Sequence, residues 1–213
     1  MVYLSHGNTF RHLLLALRWT VALLLIAFIG GGLIGQALLL ARLPSAQPLA
    51  AGYVQLFQGK PLLMQSFRAN FTLALVGNNV SARVAAGLAL TLYAGAFLTE
   101  IWRGCLVAIP KGQWEAADSP ALSFTEKMRH GVGPQALRIA VPPTVGFWVQ
   151  VIKGAALASV IGFTELTKAG TMIINATFRP VTAHAGVALM YFLLCWPVSA
   201  ASRKLKRSFK NGR

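Results

Sequence analysis

Five stretches of this chain are long and almost free of charge, and short basic segments separate them. Residues 19–41 form an uncharged run of 23 residues between Arg18 and Arg42, and residues 181–202 form another between Arg179 and Arg203. About 20 apolar residues in a helix cross the hydrocarbon of a bilayer, so each run predicts a spanning helix. Residues 84–109 predict a third, with Glu100 and Arg103 near its end at a spacing that pairs them on one helix face. Residues 51–77 predict the second span in chain order, carrying Lys60 near its start and Arg68 in its middle. Residues 139–163 predict the fourth, opening with Pro142-Pro143 and broken by Lys153-Gly154. The expected architecture is an all-α polytopic membrane protein of about five transmembrane helices. No internal repeat, heptad seam or low-complexity linker divides it, so residues 1–213 read as one transmembrane domain.

Composition agrees. Apolar residues make up 55% of the chain and charged residues 12%, against about 25% charged in soluble domains. The first apolar run exceeds the roughly 7–15 residues of a signal-peptide core, so it is expected to be a retained helix. The formal charge of +15 comes from 20 Lys and Arg against 5 Asp and Glu. These basic residues lie between or beside the apolar runs, as the positive-inside rule places them, and lack the aromatic interleaving of a nucleic-acid groove. Gly31-x-x-x-Gly35 in the first span allows close helix approach, expected here within the protomer.

The largest polar insertion, residues 110–138, holds seven charged residues, and residues 203–213 hold six basic ones. Placing both in the cytoplasm puts the C-terminus inside and, through five spans, the N-terminus outside. The insertion opens with Ile109-Pro-Lys-Gly-Gln-Trp-Glu-Ala-Ala117, which predicts a short helix after Pro110. The residues alone leave open whether it docks on a partner or is a plain surface loop.

Chemistry of other kinds is missing from the pattern. Gly59-Lys60-Pro61 lacks the first Gly and the Ser/Thr of a phosphate-binding loop, so ATP hydrolysis is not expected on this chain. Four scattered His and two isolated Cys suggest no metal site, and no carboxylate pair suggests a catalytic residue. The residues by themselves fit a gradient-driven secondary transporter or channel subunit as well as a subunit of an ATP-driven system.

Ordered segments add a family resemblance. Leu98-Thr-Glu-Ile-Trp-Arg-Gly104, Val107-Ala-Ile-Pro-Lys-Gly-Gln-Trp-Glu-Ala-Ala117, Pro134-Gln-Ala-Leu-Arg-Ile-Ala-Val-Pro-Pro143, and Leu157-Ala-Ser-Val-Ile-Gly162 with Glu165-Leu-Thr-Lys-Ala-Gly170 resemble the polar amino acid uptake branch of ATP-binding-cassette (ABC) importer permeases. Val54-Gln-Leu-Phe-Gln-Gly-Lys-Pro-Leu-Leu-Met-Gln65 is similar to that family's second-helix segment. The resemblance covers residues 50–210 or so and includes the Glu-Ala-Ala loop. It implies a permease subunit in the bacterial cytoplasmic membrane that moves a polar amino acid by alternating access. It implies a cytoplasmic ABC ATPase dimer holding ATP and magnesium, a second permease chain, identical or not, and an extracytoplasmic substrate-binding protein. No cofactor is then expected on this chain.

Carried over residue by residue, Gln113, Trp114, Glu115, Ala116, Ala117, Ala121 and Pro134 belong to the ATPase-coupling loop. Arg68, Glu100, Arg103 and Lys153 are candidates for the substrate path, and the Glu100–Arg103 pair, close to a helix end, is at least as readable as snorkelling or structural pairing. Lys153 is equally readable as a structural or gate-lining residue, and Arg68 either lines a water-filled path or marks an earlier helix end. Glu165 and Lys168 are expected at the outer end, facing the binding protein. The sequence departs from the family pattern at Pro120, Ala121, Gly131 and Gly133. It departs again at Gly154-Ala155-Ala156, where the family often has Asp and small hydroxyl residues. The last change removes polar groups from the expected substrate region, and the departures together point to a diverged specificity or a partly degenerate copy.

Overall fold

A computed structural model describes residues 6–40, 47–75, 81–117 and 123–210. All regular structure among them is helical. Helix α1 spans His6–Leu40, α2 Gln47–Gln58, α3 Leu62–Leu75 and α4 Ala82–Val107. The short α5 covers Lys111–Ala117. A turn of helix, α6 (Phe124–Glu126), runs through a π-helical segment at Lys127–Val132 into α7 (Gly133–Ala155). A 3₁₀ turn at Ala156–Ser159, then α8 (Leu166–Thr177) and α9 (Pro180–Lys210) complete the order.

Among the described residues, three helices are long and apolar enough to cross a membrane: Phe10–Leu40 of α1, Ala82–Val107 of α4 and Pro180–Arg207 of α9. The buried share of their most apolar stretch falls from 56% in α4 to 33% in α1 and 11% in α9. Helix α4 is therefore the central post. The main apolar core packs Ala85, Ala86, Leu90, Ala94 and Leu98 of α4 against Leu23, Leu24 and Ala27 of α1 and Phe147, Val151 and Ile152 of α7. The small residues explain how close α1 and α4 lie. A Cβ on Gly31 would sit 2.6 Å from the Ala94 Cβ, and one on Gly35 would sit 3.2 Å from the Leu98 Cβ. The Gly31-x-x-x-Gly35 face is thus consumed inside the protomer, as the sequence led us to expect.

The segment expected as one span over 51–77 is two helices. Pro61 has no N–H to donate and disfavours helix at the residue before it, so Gly59-Lys60-Pro61 ends α2 and starts α3. Gln65 closes the broken end: its buried Nε2 donates to the Phe57 and Lys60 carbonyls at 2.6 and 2.9 Å. The segment drawn as 139–163 also differs. Helix α7 begins at Gly133, passes through Pro142 and Pro143, and gives way to the 3₁₀ turn at Ala156. Gly154 marks where α3 comes closest, since a Cβ there would meet the Leu62 Cδ2 at 2.7 Å. Helix α8 has no counterpart in the sequence reading. It ends at Phe178, in the left-handed region (φ 55°), whose N–H donates to the Ile174 carbonyl at 2.8 Å.

Candidate functional site: a docking helix and its support

Helix α4 ends two residues short of Ile109, which is buried, and Pro110 then starts α5. The Gln113 N–H donates to the Pro110 carbonyl at 2.9 Å, closing the first turn. Behind α5 lies a separate apolar cluster of Ile109, Val132 and Ala136, against which Leu106, Trp114, Met128 and Ile139 pack. Trp114 is thus turned inward and half-buried, while Lys111, Gly112, Gln113, Glu115 and Ala116 are exposed. The helix is a short polar face held from behind by one aromatic side chain.

Two further contacts fix it. Gln135 Nε2 donates to Gln113 Oε1 at 3.0 Å, tying α5 to the start of α7. Further along the chain, Ser123 and Glu126 form a reciprocal capping box. The Ser123 N–H and hydroxyl donate to Glu126 Oε2 at 2.8 and 2.6 Å, and the Glu126 N–H points back to Ser123 Oγ at 3.4 Å. These donors hold the exposed Glu126 carboxyl below the usual carboxylate range. The π turn follows. A Cβ on Gly133 would run into the Met128 carbonyl, so the wide turn and the glycine belong together.

Of the coupling residues expected from the sequence, Gln113, Glu115, Ala116 and Pro134 are exposed around this support, and Trp114 is its inward anchor. Ala117 ends α5, and Ala121 lies outside the described residues, as does Pro120. Of the substrate-path residues, Glu100 and Arg103 are brought together, with Arg103 Nε donating to Glu100 Oε2 at 2.8 Å. This pair is partly exposed and sits in the last two turns of α4, at the α5 end of the molecule. Arg68 stands exposed in the middle of α3, whose helix does not end there. Lys153 stands exposed in the last turn of α7, where a cation complements the helix dipole. Gly154-Ala155-Ala156 is packing rather than a polar wall, with Ala155 fully buried and Gly154 under Leu62 and Leu90.

Glu165 corrects an expectation. It does not face outward; its side chain is fully buried. It caps α8, accepting from the Lys168 N–H at 2.9 Å through Oε1, and accepts from the Tyr191 hydroxyl at 2.7 Å through Oε2. Thr167 and Tyr191 share a hydrogen bond at 3.2 Å. The Leu166 N–H donates to Thr20 Oγ1 at 3.1 Å, so α1, α8 and α9 meet at one buried polar knot. Lys168 is half-buried beside it. The signal available in the sequence was an acidic residue followed by an amphipathic run of helix length, Leu166–Thr177.

The described residues thus form a bundle of long apolar helices interrupted by a short exposed helix that is braced from within. Residues 29–211 match the family described as "Binding-protein-dependent transport system inner membrane component", and the chain belongs to that family. It is similar to the probable glutamine ABC transporter permease protein GlnP of Bacillus subtilis (strain 168), 39% identical over 82% of this chain and 82% of that one. The glutamine transport system permease protein GlnP of Escherichia coli (strain K12) is 32% identical over 78% and 76% of the two chains. A solved structure titled as an amino acid ABC transporter with histidines superimposes with a TM-score of 0.89 at 27% identity, covering 98% of this chain and 99% of that one. The fold is that of ABC importer permeases, and the chain is a membrane transport subunit rather than an enzyme.

Proposed function

We propose that this chain is the permease of an ATP-driven importer for a polar amino acid, with glutamine the first candidate. The names of its relatives support the amino acid class, and two of them carry glutamine. The observation that carries the docking half of the reading is α5. Its exposed Gln113, Glu115 and Ala116 and its half-buried Trp114 anchor suit a helix that sits in a cleft of a cytoplasmic ATPase. Small residues let such a helix approach closely, and Glu115 offers a charge-assisted bond to the partner. An ATPase dimer then holds ATP and magnesium, while this chain, read as one domain over 1–213, binds no cofactor. An extracytoplasmic binding protein delivers the substrate, and a second permease chain completes the path. The C-terminus and α5 lie in the cytoplasm and the N-terminus outside, by the weight of the basic segments. Closure of the ATPases moves α5, and the apolar cluster behind Trp114 transmits that movement to α4 and α7, which rock around a site near the midplane.

The test is purification of the tagged wild-type chain from native membranes in mild detergent, beside Glu115→Lys. We expect the ATPase to accompany the wild type and to be lost at least tenfold from the variant, with both chains inserted and monodisperse. In vesicles supplied with ATP, glutamine uptake continues after ion gradients are collapsed. A chain that purifies without an ATPase, or uptake that stops with the gradient, rejects the proposal.

A further inference from the structure

A second feature lies on the far side of the same support. Helices α1, α4 and α7 enclose an open groove of about 620 Å³. The last turns of α1 and the first turns of α7 form its mouth, and Phe28 and Trp148, with ring centroids 3.9 Å apart, lie at its inner end. Its polarity is graded. Arg129 stands at one end, just before α7, Gln36 lies a turn in from the end of α1, and most of the remaining lining is apolar, with Leu137 and Val141 along the open side of α7. The one hydroxyl in the wall, Thr144, is already engaged by Trp102, whose Nε1 donates to it at 3.0 Å. From Gly133 to Trp148 the groove runs about 22 Å at 1.5 Å per residue, enough for the roughly 15 Å depth of one leaflet's hydrocarbon.

A cation at one end and a leaflet-long apolar trough behind it match the shape and charge of one amphiphile. The geometry points to a binding site for an anionic phospholipid, with its phosphate on Arg129 and an acyl chain laid along the groove toward Phe28 and Trp148. A zwitterionic lipid fills the same trough without gaining from the arginine. A helix from a second protein fits the graded polarity less well, because it would place its backbone against the exposed charge at the mouth. Leu106 and Met128 belong both to the groove and to the cluster behind Trp114, so an occupied groove stiffens the wall on which the docking helix rests. The site depends only on the bilayer, not on which solute is carried.

The test uses the assembled transporter, purified in mild detergent, stripped of lipid and titrated with dioleoyl phosphatidylglycerol or dioleoyl phosphatidylcholine. Bound lipid is counted by native mass spectrometry. We expect about a fivefold preference for the anionic lipid, the factor one basic residue supplies near a headgroup. Arg129→Gln brings that preference close to one while keeping both lipids. Val141→Trp fills the trough and loses both, and Leu137→Trp, at the exposed rim, serves if the first variant does not elute as a single species. Equal retention of the two lipids by the wild type, or retention unchanged by the filling variants, overturns the proposal. So does a photo-cross-linker at position 137 that captures a second protein chain in place of lipid.

Discussion

The α5 end and the α8 end of this molecule solve the same problem, seating a short helix on long ones, with different shares of apolar and polar contact. Helix α5 is held by apolar contact: Trp114 rests on Ile109, Val132 and Ala136, and its polar groups face outward. Helix α8 adds buried polarity to the apolar contact of Leu166, Ala169 and Ile173, with Glu165, Thr20, Thr167 and Tyr191 bonding among themselves and to the first N–H groups of the helix. Apolar contact is non-directional and tolerates small shifts, whereas buried hydrogen bonds are lost outright when their geometry changes. The contrast fits an α5 that moves with a partner and an α8 that stays fixed to α1 and α9.

Several substitutions test this contrast. The largest effect should come from Glu165→Ala, which removes the cap of α8 and leaves the Tyr191 hydroxyl without its acceptor. We expect a loss of about 2–4 kcal/mol, seen as a lower midpoint of thermal unfolding in detergent, with Glu165→Gln recovering most of it. A midpoint equal to the wild type would mean that the polar knot is not what holds α8. Trp114→Ala should cost less, about 2 kcal/mol, because the ring is only half-buried. Its signature is local: faster amide exchange in α5 with little change in α8. Equal loosening of both helices would erase the distinction between the two ends.

Glu115→Lys should leave stability within about 0.5 kcal/mol, as exposed changes usually do, while abolishing ATPase association. A fall in the thermal midpoint would show that α5 is structural rather than a docking face. The smallest effect concerns pH. The folded Glu126 carboxyl is held below its usual range by Ser123, so the stabilisation it gives is present above the unfolded value and fades as pH falls through the folded one. The protection factor of the Ser123 amide, corrected for intrinsic exchange, should drop only in acid below the ordinary glutamate range, and it should be insensitive to pH in Glu126→Gln.

Much of this was legible in the chain. The apolar runs gave α1, α4 and α9 because each is long enough to need no partner for recognition, and the Pro-Lys-Gly-Gln-Trp-Glu-Ala-Ala segment gave α5. Elsewhere hydropathy was a poor guide to helix ends. Gly59-Lys60-Pro61 resembles a fragment of a phosphate loop in sequence, yet its physical effect is a helix break, because Pro61 has no N–H for the ladder. Pro142 and Pro143 marked a start that the helix ignores, since a proline inside a packed membrane helix is tolerated when neighbours satisfy the freed groups. Ser202 Oγ donates to the Pro142 carbonyl at 3.3 Å, which ties α9 to this stretch of α7. Glu165 was misplaced because charge predicts exposure until its partners are known, and Thr20 and Tyr191 lie 145 and 26 residues away from it in sequence.

The π turn at Lys127–Val132 has a consequence for how this segment tolerates change in length. Such a turn holds one residue more than the α-helical count, and a single residue in a helix is worth about 100° of rotation. The turn acts as a phase offset between the capped Ser123–Glu126 start and the face of α7 that meets α4. Deleting one residue from it would keep the helix continuous but rotate the Ser123–Glu126 start by more than a quarter turn relative to α7. Substitutions in this stretch change how well the support is packed, and indels change where it points.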